Sequence, residues 1–314
     1  MLTQHSIKLD QKNRIQYYIY KSPLPGKTVL ISGGIHGDEA NGMFVCIEFI
    51  KYLKANPTKF TGTIIIVPNI NPQGFQQRNR RFKDTDLNRT FTKDIQHPVS
   101  KLFKKEILDH IDYGIDFHDS GSSYKLVLHA RIPKPDPKLQ QLLPYLQVPF
   151  CLVRKGSKGM LTDYMHSQNK NFITIESGGS YQVSQTQIQA QINLIINLLK
   201  HNGNHIGTAH KQKSIVIQQR FRFKSTQSML FYPQVKLGQA IQQNQLIGVI
   251  YDQDFQTPRS IYAPLKGYLI SLNEHNLIKP SEYIFGIGAD YPCNIQDIDT
   301  KLNQGLLQVK HICL

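Results

Sequence analysis

Between Thr28 and His201 short β-branched runs alternate with longer stretches of helical apolar spacing, and this alternation constrains the fold more than any other feature of the chain. A strand expected over 28–32 ends in a Gly-Gly pair. The stretch 41–54 then sets Met43, Val45, Cys46, Ile47, Phe49, Ile50 and Leu53 in a helical pattern. A second strand is expected over 62–67, closed by Pro68, followed by a polar loop and a helix near 100–111. Further strands are expected at 114–118, 150–153 and 171–176, and a Gln-rich helix from Ser184 to about His201 completes the series. Strands alternating with helices bury both faces of a sheet, because each crossover lays a helix across it. The predicted fold class is therefore α/β, with a mixed, mostly parallel sheet flanked by helices.

The polar run from Asn202 to Lys213 changes the texture. Beyond it come short strands and turns punctuated by Gly238, Gly248, Gly267, Gly286 and Gly288, which predict a second, small all-β unit. The expected division is residues 1–205 and 212–314. A chain of 314 residues, 40% of them hydrophobic, buries a core of that size. No stretch approaches the roughly 18 to 20 apolar residues of a membrane helix, and the opening residues lack the apolar centre of a signal peptide, so a cytoplasmic location is expected. Cys46, Cys151, Cys293 and Cys313 are scattered without C-x-x-C spacing and read as small buried hydrophobes. The formal charge of +15 is spread along the chain without a nucleic-acid recognition signature, so attraction of carboxylate substrates is the better use for it.

Gly33-Gly-Ile-His-Gly-Asp-Glu39 stands at the carboxyl end of a buried strand and just before a helix, the edge where open α/β sheets bind ligands. A tight glycine turn can aim His36 and Glu39 at one point, and His118, ending its own apolar strand, can reach the same edge. Two imidazoles and one carboxylate suit zinc. Asp38, Asp116 and Asp119 could equally serve a hard cation such as magnesium, but two imidazoles favour a transition metal.

Between these ligands lies a polar segment crowded with cations: Asn69-x-Asn-Pro, then Arg81-Phe-Lys-Asp-Thr-Asp-Leu-Asn-Arg89. With G-G-I-H-G-D-E before it and Asp116-Phe-His118 after it, the order and spacing resemble the succinylglutamate desuccinylase and aspartoacylase family, itself similar to the zinc carboxypeptidases, over about the first 180 residues. The resemblance implies that Arg81 polarises the scissile carbonyl while Asn88 and Arg89 hold a substrate carboxylate, leaving Arg78 and Arg80 structural or peripheral. It also implies that Asp86 orients a ligand histidine. Glu176 finishes a buried strand, where a carboxylate is costly unless paired or functional, and the resemblance makes it the general base. His97, His110, His129 and His166 receive no role, and Arg131 and Arg154 are candidate extra carboxylate partners.

The implied activity is hydrolysis of the amide of a small N-acyl amino acid, with one zinc ion per subunit and neither nucleic acid nor membrane as partner. A homo-oligomer is left open. Residues 235–289 resemble a biotinyl or lipoyl carrier barrel, but Leu237 to Leu265 contains no lysine, so the tip near Asp254 and Phe255 has nothing to modify and the unit reads as a lid. The competing readings are a zinc carboxypeptidase acting on peptides and a non-catalytic metal-binding scaffold.

Overall fold

The computed structural model describes residues 1–121, 124–133, 137–179, 182–251, 255–292 and 307–313. Its first part runs β1 (Leu2–Lys8), β2 (Arg14–Lys21), β3 (Thr28–Gly33), α1 (Ala40–Ala55), β4 (Thr63–Val67), α2 (Pro72–Gln77), α3 (Pro98–Glu106), β5 (Tyr113–His118) and β6 (Tyr124–Pro133). It continues with α4 (Pro137–Leu142), β7 (Phe150–Arg154), α5 (Leu161–Ser167), β8 (Asn171–Gly179) and α6 (Gln185–Asn202). Strands β4, β3, β5 and β8 lie side by side in parallel, and they are nearly continuous apolar runs because both of their faces are covered. Side chains alternate across this sheet. Val29 and Ile31 join the core under α1 and α6, while Leu30 joins the opposite core with Phe103 and Leu161.

Helix α1 buries Met43, Val45, Cys46, Phe49, Ile50 and Leu53, whereas Ile47 is 41% exposed. A period of 3.6 residues carries position 47 round to the outer face, beside Phe44. Several elements depart from the sequence expectations. The hairpin β1–β2 adds two antiparallel strands beside β4, β6 runs antiparallel to β8, and α2 interrupts the supposed polar loop. Asn71 caps α2 by accepting from the Gly74 backbone N–H at 2.8 Å, with Pro72 in the first turn, the usual preference at that position.

Beyond residue 212 every described element is a strand: β9 (Ile215–Ile217), β10 (Gln219–Ser225), β11 (Met229–Pro233), β12 (Ala240–Ile241), β13 (Leu246–Tyr251), β14 (Arg259–Tyr262), β15 (Gly267–Asn273), β16 (Leu277–Ile278), β17 (Tyr283–Ala289) and β18 (Leu307–Cys313). Strands β15, β17, β10 and β18 continue the large sheet, joined to β6 through the register Ser271 to Leu126. Strands β14, β13, β11 and β16 form a separate antiparallel sheet. Phe221, Phe223 and Phe285 from the first set meet Phe231, Ile247 and Ile250 from the second in one core. The architecture is a large mixed sheet flanked by helices, with a second antiparallel sheet packed at its C-terminal end.

Cys46 and Cys151 are free and fully buried; Cys293 and the Cys313 side chain lie outside the described residues, as does Asp254. Among the described residues no helix is long and apolar enough to cross a membrane.

Candidate metal centre and its cleft

Parallel register sets the geometry of the centre. Gly33 on β3 pairs with Phe117 on β5, and His118 pairs with Glu176 on β8, so three strand ends open at one edge. After β3 the chain turns sharply: Gly34 takes φ +64, and a Cβ on Gly37 would lie 2.1 Å from the Gly74 backbone. Only glycine tolerates both positions. The turn delivers His36 and Glu39, which immediately precede α1.

His36 Nδ1 lies 2.7 Å from Glu39 Oε1, and His118 Nδ1 lies 2.8 Å from Glu39 Oε2. The outer ring nitrogens are tied elsewhere, His36 Nε2 to Asp86 at 3.2 Å and His118 Nε2 to Asp116 at 2.8 Å. Ser32 donates to the other oxygen of Asp116 at 2.8 Å, so the second ring is held through a chain of bonds. His36, Glu39 and His118 are all at least 96% shielded, and their ligand atoms lie within 4.8 Å of one another.

These residues fit a metal ion. A histidine that donates its outer N–H to a carboxylate turns a lone pair toward the centre, the usual arrangement of metal-bound imidazole. Two lone pairs facing one carboxylate repel unless a positive charge lies among them. With no ion the rings themselves supply that charge: burial disfavours a charged His118, yet Asp116 and Glu39 outweigh it and raise the ring well above its ordinary pKa. Burial likewise opposes ionisation of Glu39, but His36 and His118 hold its carboxyl well below the usual range. Asp119, buried beside Glu39, is pushed up to about 7 by burial first and by Glu39 second.

The polar segment after α2 is anchored by apolar plugs: Phe82, Leu87 and Phe91 are buried in the core on that face. Asp86 caps the short turn that follows by accepting from the Asn88 backbone N–H at 2.9 Å. Asn88 is 3% exposed and faces the cleft, its side-chain oxygen accepting from the Leu161 N–H at 2.9 Å. Arg89 also lines the cleft. Arg81 does not: it is exposed and donates to the Asp84 carbonyl at 2.6 Å. The structure brings Arg80 in instead, 3.1 Å from Glu39 and 3.2 Å from Asp86. The reason is local. Arg78 closes α2 with φ 49, and Asn79 accepts from the Arg81 N–H, which turns the first arginine inward and the second to solvent.

Glu176 is buried in the same cleft, its carboxylate accepting from Arg131 at 2.7 Å. Burial pushes its pKa up, but Arg131 and then His118 more than compensate, so it is held deprotonated. Arg154 faces the cleft with its guanidinium already bound to both oxygens of Asp163. The cleft measures about 370 Å³, and its far wall includes Arg220 and Arg222 of β10. Neither was foreseen from sequence. A groove of about 930 Å³ opens beside it and shares Ser120 and Tyr124. His129, unassigned from sequence, is 1% exposed, faces Glu176 across the β6–β8 ladder, and has a partner for Nδ1 but, among the described residues, none for Nε2.

Residues 25–202 match the family model described as the succinylglutamate desuccinylase/aspartoacylase catalytic domain. An N-alpha-acetyl-L-2,4-diaminobutyric acid deacetylase of Halomonas elongata is 24% identical over 262 residues, 77% of this chain and 74% of that protein. Among solved structures, a product-bound ectoine utilization protein of Ruegeria pomeroyi superposes with a TM-score of 0.77 at 22% identity, covering 92% of this chain and 95% of that one. A succinylglutamate desuccinylase of Silicibacter gives a TM-score of 0.76 at 22% identity with the same coverage. At that identity the structural likeness establishes the fold.

Proposed function

The chain belongs to the succinylglutamate desuccinylase/aspartoacylase family, and from that premise we propose that it hydrolyses the amide bond of a small N-acyl amino acid, with a zinc ion held by His36, Glu39 and His118. The observation that carries this reading is the convergence of both Nδ1 atoms on Glu39 while both Nε2 atoms are tied to carboxylates. The Halomonas elongata relative is named a deacetylase and the Silicibacter protein a succinylglutamate desuccinylase, and the cleft volume of about 370 Å³ suits a small substrate.

Zinc so held would supply Lewis acidity and lower the pKa of water. Glu176, kept deprotonated by Arg131, accepts the proton of the attacking water and returns it to the leaving nitrogen, which departs as a free amine. Arg80 takes the role that the family resemblance implies for Arg81. Its Nε and Nη1 are used on Asp86 and Glu39, which leaves Nη2 to meet the charge developing on the carbonyl oxygen. Arg89, beside the buried Asn88, holds the α-carboxylate of the substrate. Arg220 and Arg222 of β10 wall the cleft and narrow it against longer chains.

The test is metal analysis of the purified protein, followed by a screen of N-acetyl and N-succinyl amino acids beside short peptides. Stoichiometric zinc and release of free amino acid are expected. Cleavage confined to peptides would replace this reading with a carboxypeptidase, and metal binding without any turnover would leave a scaffold.

A further inference from the structure

The stretch that closes the α/β part of the chain carries charge of one sign, and the deacylation scheme gives it no task. From Ser184 to Lys213 there are three lysines and three histidines, with neither Asp nor Glu among them. The structure folds the end of this stretch against the short 3-10 turn Leu143–Leu146. Asn197 of α6, only 3% exposed, makes the join: its amide nitrogen donates to the Tyr145 carbonyl at 2.7 Å and to the His210 carbonyl at 2.8 Å, and its oxygen accepts from the His210 backbone N–H at 2.8 Å. The Gln212 N–H adds a bond to the Pro144 carbonyl at 2.8 Å. Lys211 lies between these two anchored residues, so its backbone is held on both sides.

Between the turn and the end of α6 opens a pocket of about 540 Å³, lined by Tyr145, His201 and Lys211 together with the side-chain amides of Gln141 and Asn171. The His201 ring lies on Tyr145 with centroids 3.7 Å apart and planes inclined by 19°, and Lys211 Nζ is 5.6 Å from the centroid of the same tyrosine. One aromatic plane therefore gathers both cationic side chains. Burial first, then Lys27 and Lys211, push the His201 pKa down, so a third cation acts on the same neighbourhood. None of the described lining residues is acidic, and none is an arginine. The pocket stands apart from the metal centre. Asn171 opens β8 and Glu176 comes five residues later, roughly 16 Å along the strand at its usual rise.

Cations held near one another at mutual cost gain when an anion enters among them. Lysine and histidine offer separately aimed N–H donors, whereas the planar fork that matches a flat carboxylate belongs to arginine. Such donors, spread round a pocket with amides beside them, suit the tetrahedral oxygens of a phosphate group. We propose that this pocket is a second ligand site, which binds a phosphate group between Lys211 and His201, carried either by the free ion or by a small phosphomonoester.

The test is calorimetric titration of the full chain with inorganic phosphate and with adenosine monophosphate. It needs no turnover, so it stands or falls apart from the deacylase reading. At least one of the two probes should bind saturably, and its affinity should fall by about tenfold in Lys211→Gln and in His201→Gln. Both side chains are exposed, so neither variant should cost folding. Arg222→Gln, in the cleft, should leave the affinity at the wild-type level. Tighter binding of adenosine monophosphate than of phosphate would assign the pocket to an esterified phosphate, and the reverse order to the free ion. Saturation by neither probe overturns the site. So does an affinity unchanged in Lys211→Gln, and so does one lost only in Arg222→Gln, which would put the anion in the cleft.

Discussion

The two sides of the cleft solve the burial of charge in opposite ways. On the side built from β3, β5 and the segment after α2, the polar atoms interlock: Glu39 receives His36, His118 and Arg80, while Asp86 and Asp116 hold the outer ring nitrogens. On the side built from β6 and β10, His129 Nε2, Arg220 Nε and Nη2, and Arg222 Nε have no hydrogen-bond partner among the described residues. Interlocked groups keep one geometry through a reaction, whereas unpaired groups are poised to gain partners from outside. Glu176 sits at the seam, on β8 between His118 and His129, and is tied by Arg131 to the second side. The contrast teaches that the side carrying His36, Glu39 and His118 is braced from within, whereas the side carrying β10 keeps buried cationic nitrogens that nothing among the described residues satisfies.

Substitution at the seam should have the largest effect. Glu176→Gln removes the proton acceptor but no metal ligand, so kcat should fall by about a hundred- to ten-thousandfold while zinc content stays at the wild-type level. Wild-type kcat in this variant would show that the base lies elsewhere. Next comes a paired test on the metal side. Arg80→Ala breaks the contacts to Glu39 and Asp86 and removes the free Nη2, so kcat/KM should drop about a hundredfold. Arg81→Ala deletes only an exposed side chain bonded to the Asp84 carbonyl and should stay within about twofold of wild type. The reverse order of effects would restore Arg81 to the role that the family resemblance implies for it.

That pair also marks where the sequence stops being informative. His36, Glu39 and His118 were legible because parallel strands deliver their carboxyl ends to one edge, so the turn leaving β3 and the last residue of β5 had one place to meet. Two adjacent arginines could not be told apart, since the choice depends on the φ 49 of Arg78 and a single bond to Asn79. Asp116 was weighed only as a hard-cation ligand, an alternative set aside for a transition metal, although its i, i+2 spacing to His118 already put both on one strand face. The hairpin β1–β2 gave little signal because β1 has only Ile7 fully buried. The alternation of Arg220-Phe-Arg-Phe223 was readable as a strand, but which cleft its arginines face is decided by pairing with β17, far along the chain.

The smallest effect should come from His129, and it concerns stability rather than chemistry. Its Nδ1 bonds the Val127 carbonyl at 2.8 Å as a donor, so the proton gained on charging must go to Nε2, which has no acceptor and faces a cationic wall. Burial is the main cause that pushes its pKa down to about 4, with Glu176 opposing and Arg220 reinforcing. Above pH 6.5 the ring is neutral in both folded and unfolded chains and contributes no pH dependence. As the pH falls from 6.5 toward 4 the unfolded chain takes up the proton first, so stability is lost across that window, about 2 kcal/mol by pH 5. His129→Asn places an amide N–H where Nδ1 stood and cannot charge. The difference between wild type and variant in urea-unfolding free energy should therefore change by about that amount between pH 7 and pH 5. A difference independent of pH would mean that the unpartnered nitrogen is solvated, and that the cationic side of the cleft is wetter and less demanding of a ligand than its geometry indicates.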